Sequence, residues 1–134
     1  MTDEAIPKAH EALRLAKQGK MGGKEMMDLL VAGKLYVPTS HPPQIENGVI
    51  TGWRPVTASK ADGSEWLLAF TTQAGASAYC DANPEHGLYI SVDTPWVLRN
   101  IPEAWGIVFN LRTEDMLEWN AQGLSKYRKN VLGW

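Results

Sequence analysis

The chain is poor in the features that announce a chemistry. Cysteine occurs once, at Cys80, so no internal disulfide can form and a reducing, cytoplasmic setting is expected. Histidine occurs three times, at His10, His41 and His86, and no two are spaced as a helical ligand pair. Neither a metal nor an organic cofactor is therefore expected. Basic residues are not in excess: 13 Lys and Arg stand against 15 Asp and Glu, for a net charge of −2. That balance lacks the basic footprint of a nucleic-acid binder. No apolar run approaches the roughly 20 residues of a membrane span. The opening Met1-Thr2-Asp3-Glu4 is acidic and no apolar core follows it, so a secretory leader is not expected.

What is present is an ordinary globular composition, 44% hydrophobic and 21% charged over 134 residues. A chain of this length forms one domain and buries roughly two thirds of its unfolded surface. Tryptophan is the exception, with six residues. Most tryptophans serve a core, but the residue is also enriched in binding surfaces.

The pattern of apolar residues gives an element order. Thr2 to Gln18 reads as a helix with a weakly apolar face formed by Ile6, Ala9, Leu13 and Ala16. Gly19, Gly22 and Gly23 break it. Lys24 to Ala32, rich in Met and Leu, reads as a second helix that docks firmly. Leu35-Tyr36-Val37 is a short strand, and Thr39 to Gly48, with two prolines, a His and Asn47-Gly48, a loop or an excursion. Arg54–Ser59 and Glu65–Thr71 flank Ala61-Asp62-Gly63-Ser64, a strong hairpin signal. The run Trp66-Leu67-Leu68-Ala69-Phe70 is apolar at every position, which predicts a central strand covered on both faces. A helix capped by Thr71 or Thr72 runs to about Ala82, and Leu88 to Val92 is a strand. Asp93 or Thr94 caps a helix with Pro95 in its first turn. Gly106 to Leu111 is another strand. The expected last element is a long helix opened by Thr113-Glu114-Asp115, carrying Met116, Leu117 and Trp119. This order predicts an N-terminal helix and glycine hinge over 1–22 and a single α/β (α+β) domain over 23–134. Its mixed sheet of four to five strands has helices packed against it.

No catalytic signature appears. Gly19 to Gly23 follows no strand and fits no nucleotide fingerprint. A serine-hydrolase elbow is missing. Cys80 reads as a buried small hydrophobe, although His86 lies six residues on as a conceivable base. The carboxylates Asp93, Glu103, Glu114 and Asp115 read as helix caps or first-turn residues. Lys126-Tyr127-Arg128-Lys129 reads as a solvated basic helix end that complements the helix dipole.

One ordering of motifs resembles a known family. Leu29-Leu30 with Ala32 leads to Leu35-Tyr36-Val37-Pro38, then to the Asp62-Gly63 hairpin, Leu68-Ala69-Phe70-Thr71, and Trp105-Gly106-Ile107-Val108-Phe109-Asn110. Over about Lys24 to Trp119 this is similar to the SseB-type N-terminal domain. The family's late strand continues Asn-Pro-Gly, whereas here Asn110 is followed by Leu111-Arg112. The resemblance implies a bacterial α/β domain without an established enzymatic activity, and it brings no catalytic residues.

The expectation drawn from the residues is a non-catalytic module that binds another protein, regulatory or immunity-like in kind, with self-association left open. Its expected partner-binding residues are Trp53, Arg54, Trp96 and Trp134. Trp53 and Trp134 follow glycines and have no obvious core slot, and Trp96 sits in a helical first turn. The alternative class is a small-ligand binder or an enzyme whose site is assembled from scattered residues.

Overall fold

A computed structural model describes residues 8–84, 87–111, 113 and 116–129. In chain order its elements are α1 (Lys8–Lys17), α2 (Gly23–Val31), β1 (Lys34–Thr39), β2 (Gln44–Glu46), β3 (Val49–Gly52), β4 (Thr57–Ser59) and β5 (Glu65–Ala69), followed by α3 (Gln73–Ala82), β6 (Leu88–Asp93), α4 (Thr94–Asn100), β7 (Gly106–Phe109), β8 (Leu117–Trp119) and α5 (Ala121–Tyr127). This is the mixed α/β, or α+β, architecture expected from the sequence.

The apolar run at 66–70 forms the middle of the structure. β5 lies between β4, its antiparallel hairpin partner, and β7, with which it runs parallel. Leu67, Leu68, Ala69 and Phe70 are all buried. Leu67 and Ala69 face the main core with Ile107 and Phe109, while Trp66 and Leu68 face a smaller cluster with Val56 and Val108. The alternation of a strand thus divides one apolar run between two covered faces. The β4–β5 turn has Gly63 at φ +86°, and the Asp62 carboxylate accepts the Ser64 N–H at 2.9 Å. At the register pair Trp66–Gly106, a Cβ on Gly106 would stand 2.5 Å from the Trp66 ring, so only glycine fits.

β1 pairs antiparallel with β6, and this ribbon is stitched to the end of β5. The Tyr36 N–H donates to the Phe70 carbonyl at 2.9 Å, and the Phe70 N–H returns to the Tyr36 carbonyl at 2.8 Å. The helices close the main core. Ala12 and Leu13 of α1 join Met26, Met27 and Leu30 of α2 in the same buried cluster as Val97 of α4 and Leu124 of α5. The helix read over 2–18 is described from Lys8 onward, and its residues 2–7 lie outside the described set. Thr72 caps α3 by accepting the Gly75 N–H at 3.1 Å. Asp93 is the N-cap of α4, without a side-chain cap bond.

Two elements differ from the sequence reading. Thr39 to Gly48 is not all loop: β2 and β3 form a hairpin about Asn47 (φ 52°) and Gly48 (φ 78°). Positive φ at both central residues is the type I′ turn that Asn-Gly favours. The expected long final helix is also replaced. Leu117–Trp119 is β8, antiparallel to β7, and the helix begins only at Ala121. Leu117-Glu118-Trp119 alternates with period two, and β8 supplies partners for backbone groups that β7 would otherwise leave unpaired. Asn120 then starts α5 by accepting the Gly123 N–H at 2.8 Å.

Because β5 is covered on both faces, Leu68→Ala or Phe70→Ala should lower the unfolding free energy by roughly 2–5 kcal/mol in denaturant titrations. A loss within about 0.5 kcal/mol, the range of surface substitutions, would contradict a central β5.

Candidate functional site

The carboxyl ends of the parallel strands β5 and β7 carry a buried polar junction. The Asn110 carboxamide accepts the Thr71 N–H at 3.0 Å and donates to the Thr71 hydroxyl at 3.0 Å. His10 Nδ1 lies 2.5 Å from the same hydroxyl, and an Arg14 Nη lies 3.5 Å from His10 Nε2. Thr71 and Asn110 are 1% and 2% exposed. With the hydroxyl enclosed and occupied by two neighbours, His10 and Asn110, this cluster is a latch rather than a nucleophile. Asn110 holds φ 57°, a left-handed conformation that asparagine tolerates better than most residues. Beside it, a cavity of about 180 Å³ is lined by Phe70, Tyr79, Leu111 and Thr113, among others. The described lining has no carboxylate, imidazole, thiol or amine for acid–base work.

Cys80 is buried, and its thiol donates to the Leu88 carbonyl at 3.5 Å. Burial pushes the thiol pKa up, and the Asp81 carboxylate adds to the shift, so the reactive thiolate is disfavoured. His86, Glu114 and Asp115 lie outside the described residues. Among the described residues no group of three or more His, Cys, Asp or Glu side chains could hold a metal.

The aromatic candidates gather near the β2–β3 hairpin. Trp53 and Trp96, far apart in sequence, meet edge to face with ring centroids 4.8 Å apart. Both are half-buried and rest against the main core, as do Trp105 and Trp119. Trp53 therefore has the core slot that its glycine-flanked position hid, and the pair forms a fixed wall rather than two free aromatics. Trp134 lies outside the described residues. Arg54 is exposed, and its carbonyl is held by the Ser40 N–H at 3.0 Å. Trp53 and Arg54 line one groove of about 540 Å³ with His41, Pro42, Gln44 and Gly52.

The hairpin over this groove pairs with no further strand among the described residues. Ile45 and Ile50 are register partners and share a face. Ile50 rests against the core, while Ile45 is 59% exposed. The structure thus brings together Trp53, Arg54 and Trp96. It adds His41, which lines the groove, and Ile45, exposed on the adjoining hairpin, both of which sequence reasoning missed. The available signal was Asn47-Gly48, the strongest short-range mark of a hairpin.

No helix among the described residues is long and apolar enough to cross a membrane. The model of the SseB protein N-terminal domain matches residues 10–125, from inside α1 to inside α5. No curated protein and no solved structure matches.

The Cys80 geometry predicts slow modification. A disulfide-exchange reagent should label the folded protein far more slowly than a free thiol, with full reactivity only on unfolding. Labelling faster than a free thiol would show an activated thiolate instead.

Proposed function

From a chain that belongs to the SseB N-terminal domain family, we infer a non-catalytic protein-interaction module of the cytosol that takes its partner beside the β2–β3 hairpin. The observation that carries this reading is an exposed apolar residue on an unpaired hairpin whose Gln44 and Gly52 line a groove with an aromatic wall and an exposed cation. Ile45 is the most exposed large apolar side chain of the described residues. Neither edge of its hairpin pairs with a further strand among the described residues, which suits the addition of an extended segment. Trp53 is held rigid by Trp96, so contact with it costs little side-chain entropy on binding. Arg54 has no ion-pair partner among the described residues and favours an acidic side chain. The fitting occupant is an extended protein segment with an apolar side chain against Trp53 and Ile45 and a carboxylate for Arg54. A regulatory or immunity-like role would use this surface to cover part of the partner.

Photo-crosslinking in living host cells tests the reading. A photoreactive amino acid at position 45 should capture a discrete protein, and the same probe at Met116, exposed elsewhere, should not. Arg54→Glu should reduce the adduct about tenfold or more while leaving folding stability within about 0.5 kcal/mol. Equal capture at 45 and 116, or an adduct indifferent to Arg54→Glu, would overturn it.

A further inference from the structure

The C-cap of α5, Arg128, is a cation that the fold buries and leaves without a hydrogen-bond partner. Leu124, Tyr127 and Arg128 lie at i, i+3 and i+4, on one helix face, and all three are buried. Leu124 and Tyr127 fill the main core, and the Tyr127 hydroxyl donates to the Asp28 carboxylate of α2 at 2.6 Å. This anchoring fixes the backbone from which Arg128 departs. Arg128 is 6% exposed, yet Nε and both Nη atoms find no hydrogen-bond partner. A buried guanidinium with its donors empty is among the costlier arrangements in a protein, and an anion delivered to it relieves that cost.

Space for such an anion lies directly in front of it. A cleft of about 250 Å³ is lined by Leu98, Arg99, Ile101, Glu103, Ser125, Arg128 and Lys129. Leu98 and Ile101 are buried apolar walls, which strengthen any charge interaction inside. Arg128 and Lys129 bring two cations to the cleft against the single carboxylate of Glu103, so its lining favours an anion. Ser125 adds a hydroxyl. The Glu103 charge acts on Arg128 but does not bond it, and burial pulls the guanidinium below its ordinary pKa. A guanidinium still remains charged at neutral pH and presents a planar fork suited to tetrahedral oxyanions.

We propose that the cleft between α4 and α5 is a binding site for a phosphate dianion, free or as a small phosphate monoester. Arg128 is its central ligand, and Lys129 and Ser125 stand at its rim. This site is independent of the hairpin groove and shares no residue with it.

The test is calorimetric titration of the intact protein with inorganic phosphate at neutral pH, beside melting curves in phosphate and in sodium chloride of equal ionic strength. Saturable binding and a rise in melting temperature beyond that in chloride are expected. Arg128→Met should weaken phosphate binding by about tenfold or more. It should also melt higher than the parent in chloride, because it removes an unpaired buried charge. Arg128→Lys keeps the charge but loses the fork, and guards against a folding defect in the first variant; it should bind phosphate more weakly than the parent. Glu103→Gln should tighten binding by removing the competing acid. Chloride and phosphate acting alike, or affinity unchanged in either folded Arg128 variant, would overturn the proposal. Weaker phosphate binding by Glu103→Gln, or acetate binding as tightly as phosphate, would overturn the dianion assignment.

Discussion

The contact between Thr71 and Asn110 holds the ends of two parallel strands in register. Parallel strands have no tight turn to set their alignment; here α3, β6 and α4 intervene between β5 and β7. The Asn110 carboxamide closes both Thr71 bonds, and the Asn110 N–H continues the ladder to the Ala69 carbonyl at 2.8 Å. In a site this enclosed, each of these polar groups would be costly to leave unmade. His10 reaches the same hydroxyl from α1, so the first described helix is fastened at the point where the sheet is fastened. Two of the residues through which the sequence resembles its family, Thr71 and Asn110, form this junction.

From there the geometry spreads outward to the two candidate binding surfaces. Phe70 exchanges two backbone hydrogen bonds with Tyr36, which fixes β1 against the end of β5. β1 runs on to Ser40, whose N–H and hydroxyl both reach the Arg54 carbonyl. The Trp53–Arg54 groove is therefore tied to the junction through backbone bonds. On the opposite flank, β7 pairs with β8, and Asn120 at the end of β8 caps α5. That cap, with Leu124 and Tyr127 in the core, sets the exit of Arg128. Both candidate binding surfaces thus hang on rigid elements, an arrangement that holds recognition residues in place.

Much of this was legible in the residues. Continuous apolarity marked β5 as covered on both faces, and Asp62-Gly63 marked its hairpin. Thr72 and Pro95 marked helix starts. The misreadings have local causes. Met116, Leu117 and Trp119 fit a helical spacing as well as they fit a strand, and only the unpaired side of β7 decides between the two. Prolines at 42 and 43 stand just before β2, and Gln44-Ile45-Glu46 holds a single apolar residue, so little besides Asn47-Gly48 marks that hairpin. The meeting of Trp53 with Trp96 depends on tertiary packing, which no local pattern encodes. Arg128 was readable in part: the spacing of Leu124, Tyr127 and Arg128 places it on the buried face, but the basic residues around it gave the look of a solvated end.

The account stands on the junction between β5 and β7, and a double-mutant cycle on Thr71→Val and Asn110→Gly reads it most directly. Glycine keeps the left-handed backbone at 110, so the cycle isolates the side-chain contact. Equilibrium unfolding of the parent, the two single variants and the double variant gives the coupling energy. The account predicts a coupling of about 1–3 kcal/mol, with the double variant costing clearly less than the sum of the singles. Additivity within about 0.3–0.5 kcal/mol would mean that the two residues act independently, and would contradict it.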